Sequence, residues 1–223
     1  MSGNLVVLLH LCDSLFPIGS FAHSDGLEAA TSRGDVQTST DLRAWIDVTL
    51  AEGLRRVEGP AVARAWSAVT RGDLETVTTV DDEIYALRPT STGRESTRAM
   101  GSRLLKTWQQ IRPDALTRLA RLEHCQLTLP VAFGAVGAVS EIPLQATVEG
   151  FMYTRLAAIV SAAMRLMALG QREGHALLAD ALTRVPKVTE EIVNDDGPLG
   201  AFTPVLDVTV MSQQYVESRL FKS

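Results

Sequence analysis

Between Val148 and Met167, the residues Val148, Met152, Leu156, Ile159, Ala163 and Leu166 recur at steps of three and four, the spacing of one face of an α-helix. Phe151, Val160 and Met167 widen that stripe until most of the helix needs covering by other protein. The small residues Ala157, Ala158, Ser161 and Ala162 let neighbouring segments approach it closely. The composition says those neighbours are helices as well, because aromatic residues make up only 5 % of a chain that is 46 % apolar. Strands favour aromatic and β-branched side chains, whereas Ala and Leu favour helices.

Helical periodicity recurs along most of the chain. Thr92 and Glu95 have the spacing of a capping box, and the helix they open should run to Arg112, before Pro113. Its apolar side is Met100, Leu104, Trp108 and Ile111. Pro113 suits the first turn of a following helix holding Leu116, Leu119 and Leu122. Further helices are expected at Ser24–Arg33, Thr40–Arg55, Pro60–Arg71, Asp73–Leu87, Leu129–Val139 and Arg172–Arg184, with Gly34, Gly72 and Gly170 where such helices end or bend. Asp195-Asp196-Gly197-Pro198 is turn chemistry, and Gly200 and Pro204 prevent a helix from continuing. Val205 to Met211 reads equally as a short strand or a short helix. The expectation is an all-α, single-domain helical bundle of about ten helices over residues 1–223, with an extended, flexible C-terminal tail from about residue 197.

The formal net charge of -5 argues against a nucleic-acid binder. Met1 to His10 is apolar from Leu5 to Leu9 but lacks the basic start and small-residue cleavage site of a signal peptide. The apolar stretch from Phe151 to Leu169 carries Arg155 and Arg165, so it reads as a buried core helix rather than a membrane span. Cys12 and Cys125 form no CxxC pair and read as reduced thiols in a reducing compartment. GxSxG, GxxxxGK[ST], GxGxxG and HExxH are all missing. His10, His23, His124 and His175 share no spacing of three or four, so no catalytic residue, cofactor or metal site is assigned. The competing reading is a helical hydrolase or lyase whose carboxylates and histidines are gathered by the fold.

Three features point instead to protein partners. The segment Asp13 to Glu28 contains a turn at Pro17 and Gly19, with Ser20 or Ser24 available to cap the next helix. That turn also carries Phe16, Ile18 and Phe21, which must be buried by this chain or by another. Arg94, Arg98 and Lys106 form a line on one helix, with Arg103 beside it, which is either a solvated face or a basic stripe for an acidic partner. The chain end holds Tyr215, Arg219, Leu220 and Phe221, residue types enriched at interface hot spots, where terminal segments are normally polar, so it either orders on a partner or docks onto the chain's own core.

Five segments in order resemble the UreF family of urease accessory proteins. Asp13 to Glu28 is similar to the family's S-P-x-L-P-V-G-x-F-S-Y-S-x-G-L-E at Leu15 or Phe16, Pro17, Gly19, Phe21, Ser24, Gly26, Leu27 and Glu28, with His23 where the family has Tyr. Arg94, Glu95, Arg98, Met100, Gly101, Leu104 and Leu105 match R-E-x-R…M-G-x-x-L-L, and Pro130 to Gly134 matches P-V-x-F-G. Ala163, Arg165, Leu166, Leu169, Gly170, Gln171 and Gly174 follow A-x-R-L-x-x-L-G-Q-x-x-G, and Ser218 to Ser223 follows S-R-L-F-x-S. Ala168, His175 and Ser212-Gln213-Gln214 depart from the family's Pro, Gln and His-Glu.

The resemblance implies an all-α, cytoplasmic, non-catalytic adaptor that tends to dimerise. Such a protein binds UreD (also called UreH), recruits and modulates the GTPase UreG, and supports nickel delivery to apo-urease. Carried over to this chain, the tail Ser218 to Ser223, with Leu220 and Phe221, would be ordered against UreD, and Tyr215 before it joins the expected partner-binding set. Arg219 would face UreG, with His23 in the place of the family's Tyr. Phe16, Pro17, Gly19, Phe21, Glu28, Arg94 and Arg98 complete the expected partner-binding set.

Overall fold

A computed structural model describes residues 2–112, 122, 127–217 and 219–221. It is all-helical, with no strand among the described residues. In chain order the helices are α1 (Ser2–Leu11), α2 (Leu27–Arg33), α3 (Ser39–Val48), α4 (Gly59–Arg71), α5 (Leu74–Leu87), α6 (Ser91–Ile111), α7 (Leu129–Val139), α8 (Leu144–Leu166), α9 (Gln171–Leu182), α10 (Val185–Val193) and α11 (Pro204–Ser212). The segment after Pro113, with Leu116 and Leu119, and the residues His124 and Cys125 lie outside the described residues, whereas Leu122 is buried. No described helix is long and apolar enough to cross a membrane.

α8 carries the stripe read from the sequence: Val148, Phe151, Met152, Leu156, Ile159, Val160 and Ala163 are all buried. α7 is buried on nearly every side and lies against α4 and α6. Two glycines make that closeness possible. A Cβ on Gly134 would stand 2.4 Å from the Val62 carbonyl oxygen of α4, and one on Gly101 would stand 2.1 Å from the Leu127 carbonyl oxygen. Backbone cannot yield as a flexible side chain can, so Gly101→Ala should lower stability by about 1–3 kcal/mol, read as an earlier denaturant midpoint.

Helix starts follow capping chemistry. Thr38 and Asp41 form a reciprocal capping box on α3, and Asp73 accepts from the Thr76 nitrogen at 3.0 Å at the start of α5. α6 begins earlier than the Thr92–Glu95 pattern suggests. Thr90 has extended backbone and accepts from the Gly93 nitrogen at 3.0 Å, so Thr92 already lies inside the first turn. Gly34 and Gly72 end α2 and α4 with φ of 82° and 73°. Gly170 instead opens α9 with φ of -71°.

α3 and α4 are joined without a break by a π-helical segment, Thr49–Glu58, where two separate helices were expected. Pro60 sits in the first turn of α4 and cannot donate to the carbonyl four residues earlier. That carbonyl, on Arg56, accepts from the Gly200 nitrogen at 3.3 Å, while Arg56 Nε donates back to the Gly200 carbonyl at 3.1 Å. The proline is tolerated because a distant loop takes its place in the hydrogen-bond ledger.

The expectation of an extended C-terminal tail needs correction. Pro204 does stop any preceding helix, yet it stands at the start of α11, where its fixed φ suits the first turn. Val205 to Met211 is therefore helical, and a single 3-10 turn, Gln213–Tyr215, follows.

Candidate functional site

The end of the chain returns to its beginning. The chain enters α2 through Asp25 and Gly26 with φ of 50° and 86°, a region that glycine adopts freely and Asp tolerates. Val210 of α11 packs on that entry so tightly that a Cβ on Gly26 would lie 2.9 Å from its Cγ2. At the other end of α2, Arg33 donates to Thr209 Oγ1 at 2.7 Å and to Ser212 Oγ at 2.9 Å.

Glu28, only 3 % exposed, faces the last residues of the chain. Its carboxylate accepts from Gln213 Nε2 at 2.6 Å, from the Leu220 nitrogen at 2.5 Å and from the Phe221 nitrogen at 3.3 Å. Gln213 completes the link by accepting from the Ala29 nitrogen at 3.0 Å. Phe221 is buried, and the Arg165 guanidinium lies between two rings, 3.7 Å from the centre of Phe21 and 4.1 Å from that of Phe221. Arg165 Nη2 also donates to the Phe21 carbonyl at 3.0 Å. Phe21, Glu28, Leu220 and Phe221 are thus brought together, while the side chains of Arg219 and Leu220 stand in solvent.

Beside this lies an apolar surface without a covering. On α11, Leu206, Thr209 and Val210 turn inward or half inward, but Val205, Val208 and Met211 form an exposed stripe at steps of three. Phe202, 85 % exposed, and Tyr215, 78 % exposed, extend it at both ends.

Under α11 sits a cavity of about 210 Å³, lined by Trp45, Leu54, Met100, Ile159 and Leu206 together with a partly buried ionic network centred on Glu58. Arg155 Nη2 lies 2.6 Å from Asp25 Oδ2 and its Nε 3.0 Å from Glu58 Oε2, and Arg88 pairs with the other Glu58 oxygen. Burial pushes the Asp25 pKa up, but Arg155 and Arg88 outweigh it and hold the carboxyl below its usual range. Burial likewise opposes the charge on Arg155, and Asp25 and Glu58 more than restore it, so its pKa is raised.

The other sequence candidates serve the chain's own packing in different ways. Phe16 is buried, its ring 5.6 Å from His10 and 5.9 Å from Trp108, so the early turn packs inward there. Pro17 is exposed, and Gly19, with φ of 81°, is covered by Arg103, whose Nη1 donates to the Ile18 carbonyl at 3.0 Å. Arg94 donates to the Arg88 carbonyl at 2.7 Å. Arg98 stacks 3.6 Å over the Tyr85 ring and lies 3.7 Å from Asp81. The expected basic stripe is therefore turned onto α5 at these two positions.

His23 places its ring beside Ser96, with Oγ 3.0 Å from Nδ1 and 3.2 Å from Nε2. Near-equal distances to both nitrogens do not aim the hydroxyl along one in-plane lone pair, as a Ser–His nucleophile requires. Among the described residues no three His, Cys, Asp or Glu side chains gather as a metal site.

Sequence reasoning missed Arg165, Gln213, Arg33 and the ionic network. Arg155 and Arg165 did carry a signal, since a charge inside an apolar helix must find a partner when the helix is covered. Gln213 and Arg33 carried none, because their partners lie about 180 residues away in sequence.

The family described as UreF matches residues 36–182. Proteins named urease accessory protein UreF match nearly end to end. The one from Methylibium petroleiphilum is 33 % identical over 100 % of this chain and 95 % of its own length. That from Azoarcus sp. BH72 is 33 % identical over 98 % and 95 %, and that from Nostoc sp. PCC 7120 is 29 % identical over 97 % and 94 %. The segments that carry the resemblance therefore sit in one continuous likeness, and the chain belongs to the UreF family of urease accessory proteins.

Proposed function

We propose that this chain is a cytoplasmic, non-catalytic adaptor for assembly of the urease nickel centre, acting as one helical domain that pairs with a second copy of itself. It binds UreD (UreH) through the exposed stripe of α11 and the adjoining Tyr215 and Leu220. With UreD in place it presents Arg219 and the His23 region to the GTPase UreG, modulates that enzyme, and brings the assembly to apo-urease. Nickel is the cargo of the assembly, and no ligand for it is assigned to this chain.

The observation that carries the reading is the run of uncovered apolar side chains from Phe202 through Met211 to Tyr215 and Leu220. Aromatic and apolar residues grouped in one patch are the makings of a protein interface. Arg219 suits an acidic surface because its planar fork can bind a carboxylate with two hydrogen bonds. The enzyme reading has less support, since Asp25, which interacts with His23, is committed to Arg155.

The test is co-expression with the host's UreD and UreG. Full-length chain should co-purify with both, and a chain truncated after Gln214 should lose UreD. If neither form captures UreD, the adaptor reading fails. Arg219→Ala should keep its melting temperature and lose UreG from the assembly; normal UreG recruitment by that variant removes Arg219 from the contact.

A further inference from the structure

We propose that Arg103 and Lys106 of α6, with Leu15 of the early turn beside them, form a docking surface for an acidic face of UreG, separate from Arg219 and the chain end. That the partner is UreG rests on the function proposed above; the surface itself is read from α6 and the turn.

The basic line on α6 divides in two. Arg94 and Arg98 turn inward, onto the Arg88 carbonyl and the Tyr85 ring. Arg103 and Lys106 stay exposed, and neither has a carboxylate partner among the described residues. Residues three apart on a helix are neighbours, so the two cations share one side of α6. Acidic residues outnumber basic ones in this chain by 26 to 21, yet none of the described ones neutralises this pair. Adjacent cations without counter-ions make a local positive field that steers and orients an acidic partner.

The early turn runs along the same helix. Its Ile18 carbonyl accepts from Arg103 Nη1 at 3.0 Å, and the Phe16 ring lies 5.9 Å from that of Trp108, further along α6. Because Phe16 is the residue turned inward, Leu15 and Pro17 on either side of it face solvent, Leu15 with 87 % exposure. Asp13, the acidic residue at the start of the turn, directs one oxygen to the Leu15 nitrogen at 2.7 Å. An apolar side chain bordered by cations matches an apolar contact bordered by carboxylates, the centre and rim of a protein interface. Arg103 can serve both the turn and a partner, since a guanidinium carries five N–H donors and Ile18 takes one. The turn then continues to Phe21 and His23, the region assigned to UreG above, so one partner reaches both.

The experiment measures UreG affinity for the UreD-bound full-length chain, comparing wild type with Lys106→Glu, Leu15→Ser and Lys187→Glu. Lys187 is an exposed cation on α10 and controls for overall charge. Lys106→Glu should weaken UreG binding about tenfold, chiefly through slower association. The loss should shrink as salt rises from about 0.01 M to about 0.15 M, where the screening length falls from about 30 to about 8 Å. Leu15→Ser should weaken binding severalfold at either salt concentration, and Lys187→Glu should leave it unchanged. UreD capture by each variant reports that the fold is intact; should Lys106→Glu lose UreD too, Leu15→Ser decides alone. If wild type, Lys106→Glu and Leu15→Ser all recruit UreG equally, this surface is overturned and the proposed function stands. Equal losses from Lys106→Glu and Lys187→Glu overturn it too, because overall charge then accounts for the effect. A wild type that holds UreD but never UreG removes the proposed UreG role and this surface with it.

Discussion

Arg155→Met is expected to destabilise the fold by about 3–5 kcal/mol, the cost of removing one partner from a buried charge pair. Arg155 stands between Asp25 and Glu58, and Glu58 is almost wholly buried. Without the guanidinium, Glu58 keeps only Arg88, and Asp25, about a third exposed, must draw on water. A domain with a total stability of about 5–15 kcal/mol would be left close to its threshold. The contrast is Arg43→Ala, which breaks a pair with Asp180 that is half exposed on both sides. That change should cost about 1 kcal/mol or less. Denaturant midpoints measured side by side give the comparison, and a similar small loss for both variants would contradict the buried network.

The same variant carries a pH signature with a definite sign. In the wild type, Asp25 titrates below its usual range. Its contribution is therefore complete above the unfolded pKa, near 4, and is lost as pH falls through the lower folded value. Removing Arg155 takes away the chief cause of that lowering, and burial then acts on the Asp25 carboxyl with less opposition. A carboxyl whose folded pKa is raised destabilises fully above that value, and protonation relieves it. The gap between Arg155→Met and wild type should accordingly be widest near neutrality and narrow as pH approaches about 4. A gap that does not change over this range would mean that lost packing, and not stranded charge, causes the defect.

Much of the helical frame was legible because its signals are local. Steps of three and four gave α8 and the apolar side of α6, and Gly34 and Gly72 marked where helices stop with a left-handed residue. What stayed hidden depends on distant partners. Pro60 reads as the start of a new helix until Gly200 is seen to satisfy the carbonyl it leaves open. The chain end read as extended because Gly197, Pro198, Gly200 and Pro204 break helices, while Pro204 in the structure begins one. Glu28 stood out in the early motif, yet its use becomes clear only with Gln213, Leu220 and Phe221 against it. Arg94 and Arg98 formed a line on paper, but no local pattern says that Tyr85 and Asp81 will cover that line.

Changing Val205 and Val208 together to Asp should reduce UreD capture at least about 100-fold and leave the fold intact. Both valines are exposed, so the polar change removes little buried surface, and surface substitutions usually stay within about 0.5 kcal/mol. Val205 also lies in the first turn of α11, where a carboxylate is favoured by the helix dipole. Binding responds in the opposite direction. Each apolar side chain at the centre of an interface contributes up to about 2 kcal/mol or more, and a carboxylate desolvated there without a partner adds a further penalty. Leu5→Asp separates this from general stickiness. Leu5 is similarly apolar and exposed, but it belongs to α1, which packs on α8, whereas α11 packs on α2. A specific α11 surface loses UreD with the double change and keeps it with Leu5→Asp. Equal losses from both would mean that capture reflects exposed apolar area alone, and equal retention would place the UreD contact away from α11.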